Sequence, residues 1–162
     1  MRTPPAADPV SRLADRLRAR RERLAVAESC TGGLLGGALT AVPGSSDWFE
    51  RGVISYSNDA KRDLLGVGVE TLEKHGAVSA ECASAMADGL LARAPVQWTV
   101  AITGIAGPGG ATAGKPVGTV FIAVAGAGRT EARQYHFAGD RDAVRAQSVQ
   151  AALDQLLQRL ET

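Results

Sequence analysis

Apolar residues recur along this chain with the two periods that distinguish helices from strands. Val10, Leu13, Ala14 and Leu17 fall at i, i+3, i+4 and i+7, and this spacing predicts an amphipathic helix over about 8–21. Four further helices are predicted where a residue type that commonly caps helices precedes the segment. They cover about 32–42 after Thr31, 59–65 after Asn58, 80–94 after Ser79 and 141–160 after Asp140.

Short apolar runs between these helices predict strands. The runs cover about 24–27, 51–56, 97–103, 117–125 and 129–137, with a single helical turn at 47–49 and a glycine-rich loop over 104–114. Alternation of helices and strands is typical of an α/β fold, so we predict a three-layer α/β/α sandwich on a mixed, mostly parallel sheet. We expect one domain over residues 8–162, preceded by a disordered tip at residues 1–7.

Composition narrows the class of partner and compartment. The net charge of the 162 residues is +1, which provides no electrostatic basis for binding a nucleic acid or a membrane. No apolar run approaches the length of about 18 residues that a membrane-spanning helix needs. Cys30 and Cys82 form no CxxC motif, so a reduced, cytoplasmic location is expected. No His, Cys, Asp or Glu cluster has metal-ligand spacing, so no metal site is predicted.

Lysine is rare among the basic residues, and one lysine is placed where a base could work. Only Lys61, Lys74 and Lys115 are lysines; every other basic residue is an arginine, which keeps its proton in a protein. If Asn58 is the cap, Lys61 is the third residue of its helix, where the helix dipole disfavours a cation and lowers the pKa of the amine. Lys61 could then act as a general base. A solvated surface lysine is the alternative interpretation.

Two serines and a tyrosine are candidates for the same site. Ser29 lies between a strand and a helix, where the free N–H groups of the helix could bind an oxyanion or a phosphate. Ser29 and Thr31 could equally be simple helix caps. Ser46 lies in a turn, close in sequence to Tyr56, which could pass a proton or donate to an oxyanion. Cys30 is a weaker candidate nucleophile, because neither histidine is near it in sequence.

The glycine-rich segment Thr103–Gly110 follows a predicted buried strand. Its main-chain N–H groups could bind a phosphate or a ribose, although it matches neither a Walker A motif nor GxGxxG. Lys115 or Arg141 could add positive charge, or both could simply be solvated.

Six sequence blocks, taken together, are far more specific than any one of them. They are AESCTGG at 27–33, GSSDWFERG at 44–52, YSNDAK at 56–61, GAVS at 76–79, GIAGP at 104–108 and KPVGTV at 115–120. Their order and spacing resemble the CinA C-terminal-domain family, the bacterial nicotinamide-mononucleotide deamidases, from about residue 10 to 160. The segment 111–114 differs slightly in character from the acidic versions expected in that family.

The resemblance implies a fold, an activity and a mechanism. It implies a five-stranded mixed sheet between helical layers, and hydrolysis of the carboxamide of nicotinamide mononucleotide to nicotinic acid mononucleotide and ammonia in NAD recycling. A serine–lysine pair would do the chemistry with no cofactor and no metal, in a protein that forms homo-oligomers. The alternatives are a non-catalytic nucleotide-binding regulatory module and an amidase that acts on another amide.

Carried onto this sequence, the resemblance assigns roles to particular residues. The lysine is Lys61, with Tyr56 beside it, and the serine is either Ser46 or Ser29. We favour Ser46 because it lies nearer to Lys61 in sequence, with Ser29 then serving the substrate or the oxyanion. Expected substrate-binding residues lie in the two glycine-containing turns: Glu28, Thr31, Gly32, Gly33, Thr103, Gly104, Ala106 and Gly107.

Overall fold

A computed structural model describes residues 7–161, and within that range helices and strands alternate. In chain order the elements are α1 (Pro9–Arg20), β1 (Leu24–Glu28), α2 (Leu34–Thr40), a 3-10 turn (Ser45–Asp47), β2 (Phe49–Ile54), α3 (Asn58–Leu65), α4 (Val69–His75), α5 (Ala80–Arg93), β3 (Trp98–Gly104), β4 (Thr119–Gly126), β5 (Arg129–His136) and α6 (Arg141–Glu161). Apart from Ala7, the tip predicted over residues 1–7 lies outside the described residues.

The five strands form one mixed sheet in the order β2-β1-β3-β4-β5. β1 pairs in parallel with both β2 and β3, whereas β4 is antiparallel to β3 and to β5. Four strands therefore run in one direction and β4 runs in the other, which confirms the predicted mixed, mostly parallel sheet. Every residue of β1 is buried, as expected for a parallel inner strand that is covered on both faces.

Two apolar clusters, one on each face of the sheet, make the three layers. One face packs against α1, α2 and α6, through side chains such as Leu13, Leu39 and Leu156. The other packs against α3 and α5, through Leu65 and Met86 among others. Each such side chain, fully buried, contributes roughly 1.5–3 kcal/mol to the free energy of unfolding. The predicted α/β/α sandwich is confirmed.

Several element boundaries differ from the predictions for identifiable reasons. Helix α4 was not predicted, because it is only 7 residues long and Gly68, the residue before it, provides no side-chain cap. Helix α2 begins at Leu34 rather than at residue 32, because Gly32 and Gly33 adopt φ angles of +54° and +104°, outside the helical region.

The cap of α3 also differs from the prediction. The side-chain oxygen of Ser57 accepts a hydrogen bond from the Ala60 amide at 3.0 Å, so Ser57 is the cap and Asn58 is the first helical residue. Lys61 is consequently the fourth residue of the helix rather than the third.

The carboxyl ends of the three parallel strands β1, β2 and β3 meet at one edge of the sheet. The amide of Ser29, just after β1, donates to the Ile102 carbonyl of β3 at 3.0 Å, and the amide of Ser55, just after β2, donates to the Glu28 carbonyl at 2.8 Å. These bonds extend the sheet by one residue and bring the segments after β1 and β2 together. In open α/β sheets this edge is where ligands bind.

Candidate active site

The amine of Lys61 and the hydroxyl of Ser29 lie within hydrogen-bond distance of each other. Lys61 Nζ is 3.0 Å from Ser29 Oγ, 2.9 Å from the Ser55 carbonyl oxygen and 3.0 Å from the Tyr56 carbonyl oxygen. The Ser29 hydroxyl also lies 3.4 Å from the Tyr56 carbonyl. The pairing is produced by the sheet edge, because Ser29 follows β1 whereas Ser55 and Tyr56 follow the neighbouring strand β2.

Lys61 is buried to an unusual degree for a lysine. Only 1% of its surface is exposed, and lysine is almost never fully buried unless its charge is compensated. Burial lowers the pKa of the Lys61 amine from its ordinary value of 10.5, because desolvation penalises the charged form. The structure therefore places a lysine whose pKa is lowered by burial beside a serine hydroxyl, and this is the pairing a general base requires.

Ser46 does not share this environment. It lies on the exposed 3-10 turn before β2, whereas the hydroxyl that Lys61 contacts belongs to Ser29. The expectation that Ser46 pairs with Lys61 is therefore corrected in favour of Ser29. Ser46 is closer than Ser29 to Lys61 in sequence, but not in space. Strand β2 lies between Ser46 and Tyr56, so Ser46 is at the opposite end of that strand from Tyr56 and Lys61.

Tyr56 contributes to the site through two different groups. Its carbonyl oxygen accepts from Lys61, whereas its phenol is exposed and lies 3.3 Å from Nη2 of Arg141. The phenol is thus at the rim of the site with Arg141, and no hydrogen bond joins it to Ser29 or Lys61. The expectation that Tyr56 relays a proton is not supported by this placement.

Four of the expected substrate-binding residues lie at the end of β1 and in the turn after it, and the contacts of Glu28 are internal to the fold. The carboxylate of Glu28 accepts from the amides of Leu35 at 2.8 Å and Gly36 at 3.0 Å. These are N–H groups of the first turn of α2, so Glu28 already occupies the helix N-terminus that we expected to bind an anion. Thr31 is fully buried. None of these four residues lines the cleft described next: Glu28, Thr31, Gly32 and Gly33.

A cleft of about 260 Å³ opens beside Ser29 and Lys61. The four expected residues of the second turn, Thr103, Gly104, Ala106 and Gly107, all line it. The hydroxyl of Thr103 donates to the Ala77 carbonyl at 2.8 Å, so that side chain holds the cleft wall together. The wall also contains main-chain amides of Ala106, Gly107, Gly109 and Gly110, which make no hydrogen bond to any other described residue.

Two charged side chains line the cleft, and both are basic. Lys61 is at the inner end and Arg141, the first residue of α6, is exposed at the mouth; among the described lining residues there is no Asp or Glu. Arg141 donates to the Gly107 carbonyl at 2.8 Å through Nη1. The cleft therefore suits a ligand with an anionic group at its outer end.

Cys30 lines the same cleft but is poorly suited to be the nucleophile. Burial raises the pKa of its thiol from 9.0 to about 11, so the reactive thiolate is scarce near neutral pH. This agrees with the sequence analysis, in which Cys30 is a weaker candidate for the nucleophile than the serines.

Sequence reasoning missed Arg145, one helical turn after Arg141. Its Nε donates to the Cys30 carbonyl at 3.1 Å and its Nη2 lies 3.4 Å from the Thr31 carbonyl. The only signal in the sequence is the i, i+4 spacing of two arginines in a helix whose one other basic residue, Arg159, lies much farther along. Asn58, expected only as a cap, also lines the cleft.

Comparison with known proteins places the chain in a family. The model of the CinA C-terminal domain matches residues 7–160. The chain belongs to the CinA C-terminal domain family.

Relatives of the CinA family cover nearly the whole chain. A CinA-like protein from Anaeromyxobacter sp. (strain K) is 52% identical over 141 residues, which are 87% of this chain and 35% of the relative. Another, from Parasynechococcus marenigrum, is 54% identical over 142 residues, or 86% of this chain and 34% of the relative. The chain therefore spans about a third of the length of these curated relatives.

Solved structures agree closely with the fold. The competence damage-inducible protein A (ComA) from Klebsiella pneumoniae has a TM-score of 0.91 and 42% identity, covering 94% of this chain and 95% of that one. The competence/damage inducible protein CihA from Agrobacterium tumefaciens has a TM-score of 0.88 and 42% identity, with 100% of both chains covered. At this identity the CinA backbone is expected to be shared throughout the site.

Within the described residues, 7–161, this CinA domain lacks two structural features. No helix in this range is long and apolar enough to cross a membrane. No group of three or more His, Cys, Asp and Glu side chains in the same range is arranged to hold a metal ion.

Proposed function

We propose that this CinA domain hydrolyses the carboxamide of nicotinamide mononucleotide, giving nicotinic acid mononucleotide and ammonia, with Ser29 as nucleophile and Lys61 as base. The observation that carries the proposal is the contact of 3.0 Å between the buried Lys61 amine and the Ser29 hydroxyl. A serine hydroxyl is a weak nucleophile until an adjacent base removes its proton, and burial lowers the pKa of this amine towards the range in which a base is effective.

The surroundings of Lys61 suit both of its protonation states. A neutral amine has two N–H groups for the carbonyls of Ser55 and Tyr56, and its lone pair can accept the O–H of Ser29. A protonated amine has three N–H groups for the same three oxygens. The proton can therefore move between Ser29 and Lys61 without any rearrangement of the hydrogen-bond partners.

The reaction then follows in two halves. Ser29 Oγ attacks the amide carbon while its proton passes to Lys61, and the tetrahedral oxyanion is bound by main-chain amides. Protonated Lys61 returns the proton to the departing nitrogen, which leaves as ammonia and produces an ester on Ser29. Water attacks this ester with Lys61 again as base, which releases the carboxylic acid and regenerates Ser29. Lys61, rather than the phenol of Tyr56, is the proton donor because it is the group that contacts Ser29.

The outer part of the cleft supports the choice of a nucleotide. Arg141 and Asn58 lie at its mouth, and the unpaired amides of Ala106, Gly107 and Gly109 line its wall. We propose that the phosphate binds near Arg141, which would exchange its bond to the Gly107 carbonyl for the phosphate oxygens. This replaces the alternative of a phosphate on the α2 N-terminus, where Glu28 is already bound.

Ammonia release measured against nicotinamide mononucleotide, NAD and free nicotinamide tests the activity. We expect release from nicotinamide mononucleotide, and its loss in Lys61→Arg, which retains the positive charge but cannot accept a proton near neutral pH. Release from another amide only would favour an amidase of different specificity. Nucleotide binding without release from any of the three would favour a regulatory module.

We also infer that copies of the chain associate and that the protein works in the cytoplasm. Large exposed apolar or aromatic side chains in the described residues are confined to one stretch of the chain: Leu34, Ile54, Tyr56, Leu64 and Val69. Ile54 ends the edge strand β2 and Tyr56 follows two residues later, and exposed apolar groups at a sheet edge favour an interface.

A further inference from the structure

We infer that Arg145 is a positioning residue for the attack by Ser29, holding the main chain directly after Ser29 so that the serine hydroxyl stays beside the Lys61 amine. This inference rests on the proposed function, because it concerns the same serine. It goes beyond that function by assigning a role to a side chain that lines no cleft and contacts no reacting group.

Arg145 holds two consecutive carbonyl groups directly after the nucleophile. Its Nε is 3.1 Å from the Cys30 carbonyl and its Nη2 is 3.4 Å from the Thr31 carbonyl. The planar guanidinium presents its donors in a fixed fork, so it constrains both peptide groups at once. The neighbouring residue Val144 and the next turn at Ser148 are buried, so the helix that presents Arg145 is itself fixed.

Fixing a carbonyl also fixes the amide of the same peptide group. The peptide bond is planar and trans, so its C=O and N–H point in opposite directions. A guanidinium bound to the Cys30 carbonyl therefore holds the Thr31 amide on the side of the peptide away from Arg145. Thr31 is fully buried and does not line the cleft, so the peptide groups that Arg145 holds fix the conformation of the turn that begins at Ser29 rather than contact the substrate.

The glycine in the turn after Ser29 leaves room for the Arg145 guanidinium. Gly32 has a φ of +54°, and a Cβ built on it would lie 3.3 Å from Arg145 Nη2. A side chain at position 32 would therefore crowd the guanidinium as well as strain the backbone. This gives Gly32, which does not line the cleft, a role in the site through Arg145.

Two arginines one turn apart on α6 make a matched comparison. Arg141 lies at the mouth of the cleft, so its loss should act on substrate binding, whereas loss of Arg145 should act on the chemical step. For Arg145→Met we expect kcat to fall by about 10²-fold, the cost of misplacing the nucleophile by about 1 Å, with KM changed by no more than about threefold. Arg145→Lys keeps the charge but not the fork, so its kcat should lie between those of Arg145→Met and the wild type. Arg141→Met should instead raise KM.

The outcomes separate this inference from the proposed function. Wild-type kcat in Arg145→Met, or a loss confined to KM, would overturn the positioning role, and Arg145→Lys decides the matter if Arg145→Met does not fold. If the wild type itself releases no ammonia, the proposed function fails, and hydrogen exchange then tests the inference. Exchange of the Thr31 amide should be faster in Arg145→Met than in Arg141→Met, and equal rates would overturn the inference.

Discussion

At the scale of single residues, the chemistry depends on where the Lys61 amine is buried. Arginine at this position would carry its positive charge into the interior and could not release it, whereas lysine can respond to burial by losing its proton. Lys74, on the surface of α4, has the same side chain without this environment. The environment, rather than the residue type alone, therefore makes Lys61 a base.

The rate should depend on pH with a definite sign. Because Lys61 acts as a base in its neutral form, kcat/KM should rise as pH rises through the pKa of its amine and level off above it. Burial lowers this pKa, so the midpoint of the rise should lie below 10.5. Initial rates of ammonia release between pH 6 and 10 measure it. A rate that falls over this range, or is independent of pH, would contradict Lys61 as base.

At the scale of elements, a glycine substitution can test how closely α5 packs against α3. Gly89 of α5 lies against the end of α3, and a Cβ there would be 1.8 Å from the Leu65 carbonyl oxygen. Alanine in place of glycine gains about 1 kcal/mol of helix propensity, but the overlap requires the helices to separate, and overpacking of this kind costs about 1–3 kcal/mol or more. We therefore expect Gly89→Ala to lower the free energy of unfolding.

Gly37 of α2 is the matched control, because a Cβ there meets no atom within 4 Å. Gly37→Ala should raise the free energy of unfolding by up to about 1 kcal/mol. Urea denaturation of both variants measures the two signs. An increase for Gly89→Ala would show that α3 and α5 do not pack as described.

The same elements show what local sequence can predict. The helices α1 and α6 are predictable because each buries a stripe of apolar residues with a helical period. Strand β1 is predictable because its apolar run over 24–27 is uninterrupted. Helix α4 was missed because it has neither a polar cap nor a long stripe. The cap of α3 was misplaced by one residue because Ser57 and Asn58 are both good caps, and only the backbone geometry distinguishes them.

At the scale of the whole molecule, the proposed association of copies of the chain can be tested with a surface substitution. If the exposed apolar side chains near the β2 edge form the interface, Ile54→Glu should place a charge within it and shift the protein towards monomers. Light scattering coupled to size exclusion measures the mass, with Val69→Thr as a milder change at another of the exposed apolar residues. A wild-type monomer, or a variant that assembles normally, would contradict this interface.

The sequence predicts which residues belong to the site better than it predicts which serine pairs with Lys61. The glycine-rich wall, Lys61 and Ser29 are contained in blocks that the sequence displays. The choice between Ser29 and Ser46 required the strand order, since β1 and β2 are adjacent in the sheet and Ser29 is therefore next to Tyr56 in space. The use of Glu28 as a helix cap and the clamp by Arg145 depend on contacts across 7 and 115 residues of sequence, which no local pattern encodes.

The most direct test of the account is the rate of ammonia release from nicotinamide mononucleotide by Ser29→Ala compared with Ser46→Ala. The account predicts that Ser29→Ala loses at least about 10³-fold in kcat, because the nucleophile is gone. It predicts that Ser46→Ala, altered only on an exposed turn, keeps nearly the wild-type rate. A fully active Ser29→Ala beside an inactive Ser46→Ala would contradict it.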